Sequence, residues 1–256
     1  IPTIILWWII NVSDRYMVTY FISSSANGLY TAASKIPNFV ILFSQIFIDA
    51  WQLSAVDEYD QEGGRQFFTK VFRVYSGGIF AVASVLILLC QFITKILVAK
   101  SYYDSWQFVP ILIIATTFSC IVNFLASIYM AEKKNVMSLV TAMSGAITNF
   151  VLNLVFIPRI GANGAALATV CAFLVVFVTR AIDTRRFIKI DFKLPVLLGE
   201  TAVLVTQSIL LLKYDGTLWV YIIEVLLVVV MLLLNLKPIK ELVNLILAKF
   251  LKKRKN

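Results

Sequence analysis

Asp14 and Arg15 stand side by side in the run IPTIILWWIINVSDRYMVTYF, and Lys35 follows in NGLYTAASKIPNFV. The residues around them are mostly apolar, so three full charges sit where a chain normally avoids them. Two cations against one acid leave a positive surplus, which favours a site for an anionic ligand. A closed Asp14, Arg15 and Lys35 network that only fixes helix packing is the competing reading. Asp14 is about 100° around the helix from Arg15 and is free to pair with either cation. Classical enzyme chemistry finds little support: the chain has no His, the commonest general base and metal ligand. No HExxH, GxSxG or Walker-type pattern occurs. Cys90, Cys120 and Cys171 lie singly in apolar runs and read as small packing residues, with no metal-ligand or disulfide spacing. Neither a metal nor a cofactor is expected, and the chain does not read as an enzyme.

The elements that carry these charges follow from composition. At 256 residues, 60% hydrophobic and mean hydropathy +0.88, the chain is far more apolar than an ordinary soluble domain. It reads as an all-α integral membrane protein. About eight apolar runs have spanning length: roughly 2–22, 29–56, 71–98, 107–130, 136–157, 163–187, 194–212 and 217–236. No leader with a small-residue cleavage site precedes the first run, and the chain opens on Ile1, so it reads as a piece of a longer polypeptide. At about 1.5 Å per residue from the SSSANG turn, Arg15 and Lys35 both fall about ten to twelve Å deep. A charge at that depth is costly unless it is paired or faces water.

Basic residues on alternate connections set the orientation. With the amino end of the first helix inside, seventeen Lys and Arg fall on inside connections and four outside. The inside set includes Arg65, Lys70, Arg73, Lys133, Lys134, Arg180, Arg185 and Arg186. Both termini of the chain are then cytoplasmic. The net charge of +9 is read against the membrane, with no nucleic-acid partner implied. The segment 237–256 places Ile239, Leu242, Ile246 and Phe250 at helical spacing among lysines. It reads as a basic amphipathic tail along the anionic inner leaflet.

Other polar residues in the spans carry open readings. Pro37 should kink the second span just beyond Lys35. Asp49 and Gln45, near the inner end of that span, read as a gate or packing pair ahead of a coupling-ion site. Asn149 and Asn153 share one helix face at i, i+4 and are either interhelical glue or the lining of a hydrophilic lumen. Asn123 is isolated. The small-residue run GANGAA at 161–166 reads first as a place of close helix approach.

The runs SDRYMVTYF, NGLYTAASKIPNFV, FIDAWQLSAV and TNFVLNLVFIPRIGANGAALAT resemble the second half of the bacterial polysaccharide-biosynthesis flippases, exporters of the multidrug and oligosaccharidyl-lipid superfamily. The resemblance implies a two-lobed fold of twelve to fourteen helices around a cavity open alternately to each side. Residues 1–190 would be the second six-helix lobe, 191–236 two additional membrane helices, and 237–256 the cytoplasmic tail. It implies export of an undecaprenyl-diphosphate-linked oligosaccharide across the bacterial cytoplasmic membrane, with Arg15 and Lys35 holding the headgroup and Asp14, Asn149 and Asn153 beside them. Polysaccharide polymerase and glycosyltransferases are the protein partners it suggests. Coupling to sodium or protons would fall to Asp14 or Asp49. The rivals are a multidrug cation antiporter of similar fold, for which an acidic lumen is expected, and a non-transporting scaffold of a polysaccharide-assembly complex.

Overall fold

The computed structural model describes residues 2–58, 64–236 and 240, and within them every regular element is a helix. The order is α1 (Pro2–Phe21), α2 (Ser24–Ala33), α3 (Asn38–Glu58), α4 (Gly64–Leu88) and α5 (Cys90–Leu97). A 3-10 helix, Lys100–Phe108, then leads into α6 (Val109–Ala131), α7 (Asn135–Ile160), α8 (Ala162–Asp183), α9 (Leu194–Lys213) and α10 (Leu218–Leu234). Five of the described stretches are long and apolar enough to cross a membrane, and the bent α2–α3 pair makes six. α10 is apolar but shorter at 17 residues, and α1 runs 20 residues. The centre of the loop after α3 (59–63) and the tail 237–256, apart from Lys240, lie outside the described residues.

The second apolar run is two helices. Pro37 has no N–H to donate, and around it the helical ladder gives way to tight turns, Lys35 N–H to Ala32 carbonyl and Ile36 N–H to Ala33 carbonyl. The chain bends by 44° between α2 and α3. The α2 half packs on α1 and the 3-10 helix, whereas α3 packs on α4 and α6. Aromatic contacts fix the latter: Trp51 stacks on Phe124 with centroids 5.1 Å apart and donates its indole N–H to Ser127 at 2.9 Å. Tyr75 donates to the Cys120 carbonyl at 3.0 Å, so Ser44 must be the donor in its 2.6 Å contact with the Tyr75 hydroxyl.

α8 lies between α6 and α7 and packs on both. Its first turn approaches α7 so closely that a Cβ on Gly164 would fall 2.5 Å from the carbonyl carbon and oxygen of Phe156. Backbone cannot yield as a side chain does. Gly164→Ala should therefore push the two helices apart at about 1–3 kcal/mol, seen as a lower thermal-unfolding midpoint of the purified protein. An unchanged midpoint would mean that the two helices part at no cost.

One cation counted with the connections belongs to the core. Arg180, grouped by sequence with the basic loop after the sixth span, lies inside α8 and is fully buried. Its guanidinium donates to the Val122 carbonyl at 2.7 Å, to Thr141 Oγ1 at 3.0 Å and to both oxygens of Ser138 at 3.2 Å. It also lies 5.8 Å from the Tyr129 ring centre, and Tyr129 in turn donates to Asp183 at 2.9 Å. Five donors in a planar fork let one residue tie α6, α7 and α8 together.

Candidate functional site

Asp14 is buried near the middle of the helix bundle, where α1 meets α2, α7 and α8. Asn153 Nδ2 donates to its Oδ1 at 2.6 Å, Tyr30 OH lies 3.3 Å from its Oδ2, and Thr169 Oγ1 lies 2.6 Å from the same oxygen. Asn153 Nδ2 is also 3.0 Å from Asn149 Oδ1, which accepts from Ser13 at 3.2 Å. Among the described residues Asp14 makes no ion pair, so neither Arg15 nor Lys35 is its partner. The closed three-charge network therefore does not form. The carboxylate is held by neutral dipoles instead.

The Thr169 hydroxyl has a single hydrogen but two acceptors, Asp14 Oδ2 at 2.6 Å and the Ala165 carbonyl at 3.0 Å, while it accepts from Asn149 Nδ2 at 3.2 Å. With Asp14 ionised, Thr169 donates to the carboxylate. With Asp14 protonated, the acid donates to Thr169 and Thr169 turns to Ala165. No heavy atom has to move between the two states. The buried Oδ1 of Asn153 has no hydrogen-bond partner among the described residues. Carboxylate, amide and hydroxyl oxygens together form a donor set suited to a hard cation or a proton.

Beside this cluster is a small cavity of about 120 Å³, bordered by α1, the α2–α3 break, α6 and α8. Asp14 and Arg15 line it with Ser34, Pro37, Asn38 and Thr169. At about 30 Å³ per water it takes about four waters, far less than a sugar diphosphate. Lys35 lies in the turn at 34–37 but is exposed and does not line this cavity. Gln45 Nε2 donates to Asp49 at 2.6 Å, both side chains exposed on α3 and apart from the Asp14 cluster. Asn123 is exposed.

No protein-family profile matches the chain, and no curated protein sequence matches it at a significant level. A solved structure described as the lipid II flippase MurJ in its inward closed conformation superposes with a TM-score of 0.64 at 18% identity. The fold is flippase-like. The similarity covers 94% of this chain but 53% of MurJ, so the chain spans about half that protein's length. At this identity the likeness to MurJ is one of fold.

Asn149 and Asn153 come together with Asp14 through their shared helix face. Ser13, Thr169 and Tyr30 complete the cluster, and Thr169 and Tyr30 were not singled out by sequence. Thr169 had a weak signal, an isolated hydroxyl among Ala and Val on a helix opening with GANGAA. The last two spans hold further unanticipated polar residues. Buried Glu224 accepts from Gln207 Nε2 at 2.8 Å, and Gln207 accepts from Ser84 at 2.8 Å.

Proposed function

We propose that this chain is a lobe of an alternating-access exporter that flips a lipid-linked oligosaccharide across the bacterial cytoplasmic membrane, its amino end and tail on the cytoplasmic side. The observation that carries the reading is Arg15, a cation facing a cavity at a broken span in a flippase-like fold. The cavity takes water, so the headgroup itself would lie on the wider face that a partner lobe closes. Arg15 and exposed Lys35 would then contact its diphosphate. A diphosphate sugar cannot enter hydrocarbon without replacement for its water, and a hydrated cationic surface supplies it. An inside-negative potential favours moving such a charge outward by about 2.3 kcal/mol per charge per 100 mV.

In this reading Asn149, Asn153 and Thr169 act on Asp14 rather than on the sugar. The cluster alternates between a charged and a neutralised carboxylate as a sodium ion or a proton binds, and this drives the return of the empty transporter. The exposed Asp49 and Gln45 serve at the gate.

Arg15→Ala with Lys35→Ala removes two charge-assisted contacts, each worth about 1.5–3 kcal/mol, so export should fall by about a hundredfold or more. Cells carrying the double variant should lack surface polysaccharide and accumulate lipid-linked repeat units inside, with the protein inserted at its usual level. Normal export by that variant overturns the reading.

A further inference from the structure

A second, larger cavity lies at the end of the bundle where α3 gives way to α4, and it shares no residue with the one beside Asp14. It encloses about 710 Å³ between the first turns of α4, the 187–193 connection, the start of α9 and the end of α10. Its volume equals more than twenty waters at about 30 Å³ each. Four cationic side chains line it, Arg65, Lys70, Arg73 and Lys193, against the acids Asp191 and Glu200. Among these described lining residues the formal surplus is two positive charges.

Its geometry is held in place. Asp191 bridges Arg73 at 2.6 Å and Lys193 at 3.4 Å, and it also accepts the Lys193 backbone N–H at 3.0 Å. That N–H, with the cations of Lys193 and Arg73, holds the Asp191 carboxyl below the usual carboxylate range. Lys193 has φ +45, a left-handed conformation uncommon for a residue with a Cβ. Arg65 Nε is anchored on the Lys189 carbonyl at 2.9 Å. Arg73 Nε is buried with no hydrogen-bond partner among the described residues. A buried guanidinium N–H without an acceptor is costly, and an anion in the cavity relieves it.

Apolar side chains form part of the walls: Phe192 in the connection, Val196 and Leu197 at the start of α9, and Leu234 at the end of α10. Leu194, Leu198 and Leu233 nearby are exposed and present a greasy face beside the charged floor. A free phosphate has no use for such walls, whereas a lipid has both a phosphate and chains to lay on them. Basic cavities between membrane helices at the water boundary suit anionic headgroups.

We infer that this cavity binds the phosphate headgroup of an anionic phospholipid, with its acyl chains against α9 and α10. The bound lipid joins Arg65 and Arg73 on α4 to Lys193 at the head of α9, and so clamps the two carboxy-terminal helices to the preceding bundle. The inference does not depend on what the protein transports.

The test is native mass spectrometry of the delipidated full-length protein titrated with phosphatidylglycerol or with phosphatidylcholine of the same acyl chains. Phosphatidylglycerol should bind about tenfold more tightly or better. Arg65→Gln, Arg73→Gln and Lys193→Gln combined should bring it down to the phosphatidylcholine level, and Arg65→Gln alone should narrow the preference. Lys213→Gln, at the far end of α9, should leave it intact. Equal binding of the two lipids overturns the inference, as does a preference that survives the triple variant. Displacement of phosphatidylglycerol by millimolar inorganic phosphate also overturns it, in favour of a free-anion site.

Discussion

Asp14→Asn should leave the protein folded and, in the proposed exporter, abolish transport. The amide fills the same volume and can keep the two short contacts: its oxygen accepts from Asn153 Nδ2 and its nitrogen donates to Thr169, which turns its proton to the Ala165 carbonyl. What the amide loses is the ability to change charge. Abundance in the membrane should stay within about twofold of the native protein, because only the long 3.3 Å contact from Tyr30 loses its acceptor. Export of lipid-linked oligosaccharide should fall to background. Asp14→Ala is different, because it strands Asn153, Thr169 and Tyr30 with polar atoms unmet at about 1–3 kcal/mol each. It should lower both abundance and export. An Asp14→Asn protein that transports normally would remove Asp14 from the coupling cycle and leave it a packing residue.

Arg180→Leu should fail to accumulate as folded protein at all. It removes donors from the Val122 and Ser138 carbonyls and from the Ser138 and Thr141 hydroxyls. It also takes away the cation beside Tyr129. Breaking such a buried polar centre costs about 3–5 kcal/mol, a large share of a typical total of about 5–15 kcal/mol. Arg180→Lys keeps the charge but not the fork, so it should give an intermediate yield. Gel filtration of detergent extracts reads the outcome directly: a monodisperse peak at native yield for the leucine variant would show that α6, α7 and α8 hold together without this hub.

The helices and their order were legible because apolar length is a direct consequence of bilayer thickness. The eight runs read from sequence correspond to α1, α2 with α3, α4 with α5, and α6 through α10. The bend was legible for an equally direct reason, a proline with no N–H to give. Arg180 was not: six residues before Arg186, it looks like part of a basic loop, and only the packing of α6 and α7 shows that the helix carries it inward. Depth along a helix is a matter of counting, but facing is not. Arg15 and Lys35 were placed at one level, yet only Arg15 lines the cavity by Asp14, because Lys35 sits in the turn that Pro37 creates. Asn153 was placed at the same site as Asp14, but Thr169 stayed hidden because it lies 155 positions away in the chain.

The break at 34–37 has an electrostatic side. An unbroken helix keeps the two ends of its dipole at opposite surfaces of the membrane, where water screens them. Cut near Pro37, the same span has a negative pole at the end of α2 and a positive pole at the start of α3, each about half an elementary charge, both at the break. Asn38, the first residue of α3, lines the cavity with Arg15. The cavity thus meets both poles, the carbonyl end of α2 at Ser34 and the N–H end of α3 at Asn38, a fixed backbone dipole that no titration removes.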